Sequence, residues 1–171
     1  MEKNKLHQSY NELIKKNNNS AILILENGDI FYGFGYGAQG LNVGEVCFNT
    51  SMSGYQEIIT DPSYDGQIIN FTFPHIGNVG TNDEDNEANK SFVSGIITRE
   101  PPSEASNWRS ETNFDVWLKK QNIIGMSGLD TRQLTKIIKD KNAPLGLISH
   151  NVNGQFDLDL LSKKLFNHPK L

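Results

Sequence analysis

Short apolar runs separated by turn residues fill the first half of the chain. The runs are rich in β-branched and aromatic residues and have the length of strands. They span residues 21–25, 30–34, 43–50, 67–73 and 92–98. Asn27 and Gly28 separate the first two runs and predict a tight hairpin, because both residue types tolerate positive φ. This half is therefore predicted to be mostly sheet.

The second half changes to a helical period. Phe114, Trp117 and Leu118 share one face of a helix predicted over residues 112–120, and a short strand follows at 123–126. Asp130 is placed to cap the next helix, which ends near Asn142. Leu134, Ile137 and Ile138 form the buried stripe of that helix. Residues 145–149 are predicted to form a last strand. Leu158, Leu161 and Leu165 indicate a terminal helix.

This order of elements predicts an α/β domain over residues 21–171, with sheet packed on sheet and helices covering one side. Residues 1–20 are polar and are interpreted as an N-terminal extension. Leu6, Tyr10, Leu13 and Ile14 leave a short amphipathic helix possible within that extension. Residues 77–90 are polar and acidic and are predicted to form an exposed loop.

Charge and composition narrow the function. The net charge of −4 is unlike that of a nucleic-acid-binding domain. No apolar run approaches the ~18 residues that a membrane span needs. The chain has one cysteine, which cannot form an internal disulfide, so a reducing compartment, the cytoplasm, is expected.

Two motifs suggest chemistry that their context does not favour. Residues 35–40 read GYGAQG and match the dinucleotide fingerprint, but the chain continues as a turn into a strand rather than a helix. Glycines serving turns or bulges are the favoured interpretation. Cys47 lies inside an apolar strand run, where a small buried side chain is favoured over a reactive thiol.

Other polar residues also lack a catalytic pattern. His75 has no second ligand at metal spacing, so its expected role is to hold its loop by hydrogen bonds. The acids of residues 83–87 lack the order of a calcium loop, and no metal site is predicted. Ser63, in the turn at residues 61–66, can cap that turn or bind a ligand, and the residues alone favour capping. Asp130 is a cap, and Arg132 can reach a carboxylate within the chain or on a partner. A binding or assembly domain without catalytic residues is the prediction.

Four blocks in order resemble the small, glutamine-using subunit of carbamoyl phosphate synthetase. The resemblance covers roughly residues 21–150, with Ser53 and Leu129 where the family more often has Thr and Ile. The blocks are GEVCFNTSMSGYQE at 44–57, TDPSY at 60–64, PHIGNVG at 74–80 followed by ND at 82–83, and GLDTRQLT at 128–135.

The resemblance implies a swivelling β/β/α three-layer domain that docks a large subunit and borders a glutamine site. Within this family the serine of the D-P-S-Y turn contacts glutamine, which assigns that role to Ser63. A C-terminal amidotransferase domain with a Cys-His-Glu triad is implied to supply ammonia to the large subunit. That subunit makes carbamoyl phosphate from bicarbonate and ATP for arginine and pyrimidine biosynthesis.

Neither a G-x-C-x-G elbow nor an H-P-E stretch occurs in the 171 residues. We therefore expect the amidotransferase domain to lie outside them, and the chain alone to be inactive. No cofactor is expected on this chain, and ATP and Mg²⁺ are expected on the large subunit of a heterodimer. The alternative is a free-standing module on the same fold that binds another small ligand. A weaker option is a hydrolase that uses Cys47.

Overall fold

The computed structural model describes residues 19–77, 80–82, 84–102 and 113–169. In these ranges lie seven strands, four α-helices and one turn of 3₁₀ helix at Pro62–Tyr64. The strands are β1 (Ala21–Leu25), β2 (Ile30–Gly37), β3 (Gly40–Asn49), β4 (Gln67–Phe71), β5 (Gly95–Ile97), β6 (Ile124–Ser127) and β7 (Leu145–His150). The helices are α1 (Tyr55–Thr60), α2 (Phe114–Lys120), α3 (Thr131–Lys141) and α4 (Leu158–Phe166).

The strands close into a barrel in the order β1-β2-β6-β5-β4-β3-β7. The β3–β4, β4–β5 and β5–β6 pairs are parallel. The remaining pairs are antiparallel, and β7 closes the ring by pairing with both β1 and β3. The α/β class is confirmed, while the sheet is one closed ring rather than two separate sheets.

Local signals placed several boundaries correctly. Gly28 has a φ of +94° in the β1–β2 connection, and the amide of Leu25 donates to the carbonyl of Asp29 at 2.9 Å. Asp130 Oδ1 accepts from the amides of Arg132 and Gln133, both at 3.1 Å, so it caps α3 as predicted. Asn142 ends that helix with a φ of +56°.

Other boundaries differ from the prediction. The glycine-rich segment at residues 35–40 is the end of β2 and a two-residue link to β3, so no helix begins there and the turn interpretation is confirmed. The strand predicted at 92–98 is shorter, because only Gly95–Ile97 pairs with its neighbours. The strand predicted at 67–73 ends at Phe71. Helix α1 and the 3₁₀ turn were not predicted. The possible helix in residues 1–20 lies almost wholly outside the described residues.

Alternating strand residues separate the core into distinct clusters. In β1, Leu23 belongs to a cluster that also holds Leu134 of α3, whereas Ile22 and Ile24 pack with α4. A third cluster contains side chains of α1, α2 and β4, and we call it the outer cluster. Helices therefore pack against more than one face of the barrel, so the prediction that they cover one side was wrong.

Candidate functional site

The turn at residues 61–66 is held by hydrogen bonds among its own residues. Pro62 begins a single turn of 3₁₀ helix, and Asp61 Oδ1 accepts from the amide of Ser63 at 2.8 Å. The amides of Tyr64 and Asp65 donate to the carbonyls of Asp61 and Pro62, both at 3.1 Å. Asp61 is therefore the residue that caps this turn, and the Ser63 side chain is exposed to solvent.

The charge state of Asp61 depends on its neighbour. The amide of Ser63, and then its hydroxyl, hold the pKa of the Asp61 carboxyl below its ordinary value, because both donate to the ionised form. The group is fully exposed, so this pairing contributes little to stability. A hydroxyl that donates to Asp61 keeps its oxygen lone pairs free to accept from a ligand.

A second contact holds the turn from the side of Tyr64. The amide Nδ2 of Asn49, at the end of β3, donates to the hydroxyl of Tyr64 at 3.1 Å. The ring of Tyr64 packs against the outer cluster. Asn49 lies in the block at 44–57 but was not singled out from the sequence.

Helix α1 carries a clamp that sequence reasoning also missed. Gln56 is 3% exposed. Its Nε2 donates to the carbonyl of Asn82 at 2.5 Å and to Asn86 Oδ1 at 2.7 Å, while its Oε1 accepts from the amide of Asn82 at 3.1 Å. The Gln56 amide thus imitates a backbone peptide and fixes the loop that follows β4.

Asn82 organises the described part of that loop. Asn82 Nδ2 donates to Asp85 Oδ2 at 2.6 Å, and Asn82 Oδ1 accepts from the amides of Glu84 and Asp85. Within the described ranges no three histidine, cysteine or acidic side chains are grouped to hold a metal ion. Asp83 lies outside the described residues.

His75 and Arg132, two residues considered from the sequence, are both exposed. His75 contacts Phe73 edge to face, with ring centroids 5.9 Å apart. This ring contact joins His75 to its loop, and the hydrogen bonds expected of His75 stay a prediction. Arg132 lies in the first turn of α3, where its amide donates to Asp130. Its exposed side chain leaves contact with a partner's carboxylate open.

Cys47 has the environment of an unreactive thiol. Burial raises its pKa to about 11, its own backbone hydrogen bond opposes that rise, and the charge of Glu45 adds to it. A nucleophilic cysteine needs a lowered pKa so that the thiolate forms near neutral pH. The interpretation of Cys47 as a packing side chain is supported.

A cavity of about 460 Å³ lies beside the turn, where Gly66 leads into β4. Three acidic residues line it, Glu26, Glu45 and Asp65, together with His168. Glu26 Oε1 accepts from the amide of Leu145 at 2.9 Å. Close packing of the turn against β3 depends on Gly44, where an added Cβ would come within 2.1 Å of the Gly66 carbonyl oxygen.

The described site thus offers hydroxyls and amides on a rigid barrel, with its thiol unactivated, which is the chemistry of a binding or assembly domain. A family comparison matches residues 23–148 to the carbamoyl-phosphate synthase small chain, CPSase domain. This chain belongs to that family.

Individual relatives agree with the family match. The carbamoyl phosphate synthase small chain of Bradyrhizobium diazoefficiens is 51% identical over 156 residues, which cover 89% of this chain and 39% of that protein. Those of Ruegeria pomeroyi and Caulobacter vibrioides are 49% and 48% identical over 83% and 85% of this chain, and 37% and 38% of theirs. The chain therefore spans well under half the length of these relatives.

A solved structure, an aminopeptidase from Aneurinibacillus sp. strain AM-1, aligns over 84% of this chain and 37% of its own, with a TM-score of 0.44 and 10% identity. That likeness is too low to define the fold.

Of the described helices, none combines the length and the apolar character that crossing a bilayer requires.

Proposed function

We propose that this chain is the N-terminal assembly domain of the small subunit of a glutamine-dependent carbamoyl phosphate synthetase. The subunit it belongs to would dock a large subunit and supply it with ammonia from glutamine. The large subunit would use ATP, Mg²⁺ and bicarbonate to make carbamoyl phosphate for arginine and pyrimidine biosynthesis in the cytoplasm. The family match over residues 23–148 supports this proposal.

Within that role, Ser63 would border the glutamine site of an adjoining amidotransferase domain. The single observation that carries this assignment is the geometry of the turn. Asp61, not Ser63, makes the cap, so the exposed Ser63 hydroxyl is available to a ligand. A hydroxyl whose proton is donated to Asp61 can still accept from the amino group or amide of glutamine.

The same proposal makes the chain inactive on its own. Glutamine hydrolysis by a cysteine needs a thiolate, and burial of Cys47 raises its pKa to about 11. We also propose that the closed ring corresponds to the swivelling β/β/α arrangement of the family, with opposite walls of the ring as its two sheet layers and α1 and α2 as a helical layer.

The test uses a chimera in which this chain replaces the matching 39% of the Bradyrhizobium small chain. Mixed with the large subunit, the chimera is expected to form a heterodimer that makes carbamoyl phosphate from either glutamine or ammonia. Ser63→Ala should raise the KM for glutamine and leave the KM for ammonia unchanged. Failure of the chimera to bind the large subunit would overturn the assembly role.

Cys47→Ala in the chimera provides the matched control. We expect its glutamine-dependent rate to equal that of the unsubstituted chimera, because Cys47 only packs. A collapse of that rate would instead favour a hydrolase built on Cys47. Glutamine turnover by the purified 171-residue chain would contradict the proposal that an adjoining amidotransferase domain hydrolyses glutamine.

A free-standing binding module remains the second candidate, and the acid-lined cavity is the observation that favours it. Its volume of about 460 Å³ falls in the range of small-molecule sites. This candidate predicts no affinity of the 171-residue chain for the large subunit. Capture of the chain by immobilised large subunit would therefore count against it.

A further inference from the structure

We propose that Asn49 is a positioning residue for the Ser63 hydroxyl and that it acts through Tyr64. The inference deepens the proposed function, since it rests on Ser63 contacting glutamine. Asn49 lies at the end of β3, whereas Ser63 lies in the connection that leads into β4. The hydrogen bond from Asn49 to the Tyr64 hydroxyl joins the two.

Asn49 is itself held from several directions. It pairs with Phe71 across the β3–β4 ladder, and its carbonyl accepts from the amide of Thr72 at 3.0 Å. Its side-chain Oδ1 accepts from the amide of Ser51 at 2.8 Å. Because Oδ1 faces that N–H donor, the Nδ2 end must face Tyr64, so the orientation of the amide is defined by its partners.

Tyr64 carries that anchor to Ser63. The two residues are consecutive in a 3₁₀ helix of only three residues, so a change in the position of one backbone unit changes the other. The Tyr64 ring packs on the outer cluster, and its hydroxyl is fixed by Asn49. Asp61 holds the other end of the turn through the amide of Ser63.

Ser63 is therefore an exposed side chain on a backbone fixed at both ends. Pre-organisation of this kind lowers the entropy that ligand binding must remove. If the Asn49–Tyr64 bond is lost, the turn samples more conformations, and glutamine binds more weakly while bound glutamine is hydrolysed as before. The expected signature is a raised KM for glutamine with an unchanged kcat.

The experiment measures the KM for glutamine of the complex between the chimera and the large subunit, with substitutions at Asn49, Ser63 and Tyr64. Tyr64→Phe removes only the hydroxyl and should raise the KM roughly three- to tenfold, the value expected for one neutral hydrogen bond. Asn49→Ala removes the same bond and also the acceptor of the Ser51 amide, so its KM should rise at least as much. The double variant should be no worse than Asn49→Ala, because Tyr64→Phe then removes nothing further.

Asn49→Asp supplies a rescue that a general structural role would not. Its carboxylate still accepts from Ser51 and can accept from the Tyr64 hydroxyl, so the KM should return close to that of the unsubstituted chimera. In the Tyr64→Phe background the same substitution should give no rescue. Ser149→Ala is the control, because it removes a β7 hydroxyl that donates to the carbonyl of Gly40 at 3.0 Å, at the opposite end of β3 from Asn49.

The outcomes separate this inference from the proposed function. If Ser63→Ala leaves the KM for glutamine unchanged, the glutamine role of Ser63 fails and the positioning role fails with it. If Ser63→Ala raises the KM but Tyr64→Phe does not, only the positioning role is overturned. Equal effects of Ser149→Ala and Tyr64→Phe would likewise overturn it, since general destabilisation would then explain both.

Discussion

The two halves of the barrel are connected in different ways. Strands β1, β2 and β7 pair antiparallel, and β1 and β2 are joined by four residues. Strands β3, β4, β5 and β6 run parallel to one another. Their connections are longer and contain α1, the Ser63 turn, the clamped acidic loop and α2.

This difference explains where the candidate site lies. Parallel neighbours require a crossover, whereas antiparallel neighbours can be joined by a tight turn. Crossovers bring additional side chains to a rigid sheet, which is why binding residues gather in such segments. The antiparallel half gives the barrel its closure, and the parallel half gives it a surface for ligands.

The largest expected effect concerns the core beneath the crossovers. Phe71 is fully buried at the end of β4, so Phe71→Ala should lower the free energy of unfolding by about 3–5 kcal/mol through lost burial and a cavity. Urea unfolding of the 171-residue chain followed by circular dichroism measures it. Phe166→Ala, at a side chain 67% exposed on α4, should stay within about 0.5 kcal/mol. Equal losses would mean that the core is not concentrated where the structure places it.

A smaller effect is expected from the clamp on the acidic loop. Gln56→Ala removes three hydrogen bonds, but the half-buried loop can bond water instead, so a loss of about 1–2 kcal/mol is expected. Hydrogen exchange should accelerate at the amide of Asn82 and stay unchanged in the β1–β2 hairpin. Gln133→Ala, at an exposed position on α3, is the control. Uniform acceleration across both halves would contradict a local clamp.

Helix α3 returns the chain from the parallel half to β7, and its cap should matter less still. Asp130→Ala should cost about 1 kcal/mol in urea unfolding, because two amides lose their acceptor. Asp130→Asn should cost only a fraction of that, since an amide oxygen also caps. An alanine variant as stable as the parent would show that the exposed helix end is satisfied by water.

The smallest effect is a titration. The folded pKa of Asp61 lies below its ordinary value of 3.8. Any stability from this pairing is therefore fully present above pH 3.8 and is lost as the pH falls through the folded pKa. Carbon NMR of the carboxyl should show a midpoint below 3.8, and Ser63→Ala should move it upward. A titration midpoint that does not change with this substitution would show that the hydroxyl does not bond Asp61.

The contrast between the halves also separates the features that the sequence could predict from those that it could not. Asn27–Gly28 and Asp130 act on their immediate neighbours, so their turn and cap could be predicted from residue type alone. Closure of the barrel could not, because the pairing of β2 with β6 joins residues about 90 positions apart and leaves no local mark. Helix α1 has only six residues, fewer than a periodic pattern needs.

The family was predicted from the resemblance and is confirmed by the comparisons. The glutamine role of Ser63 stays a prediction. Residue types alone favoured Ser63 as the cap of its turn, yet Asp61 has that role. The partners of Asn49 and Gln56 could not be foreseen, because an amide's partners depend on which strands become neighbours.

Ring closure has a consequence for how this protein can meet other chains. Every described strand has neighbours on both sides, so none is an edge strand along its whole length. An incoming polypeptide therefore finds only short unpaired stretches, as on β2, where residues 30–33 pair with β1 and residues 34–37 pair with β6. Recognition is therefore expected to rely mainly on the shape and charge of projecting side chains, and ring closure limits edge-to-edge aggregation.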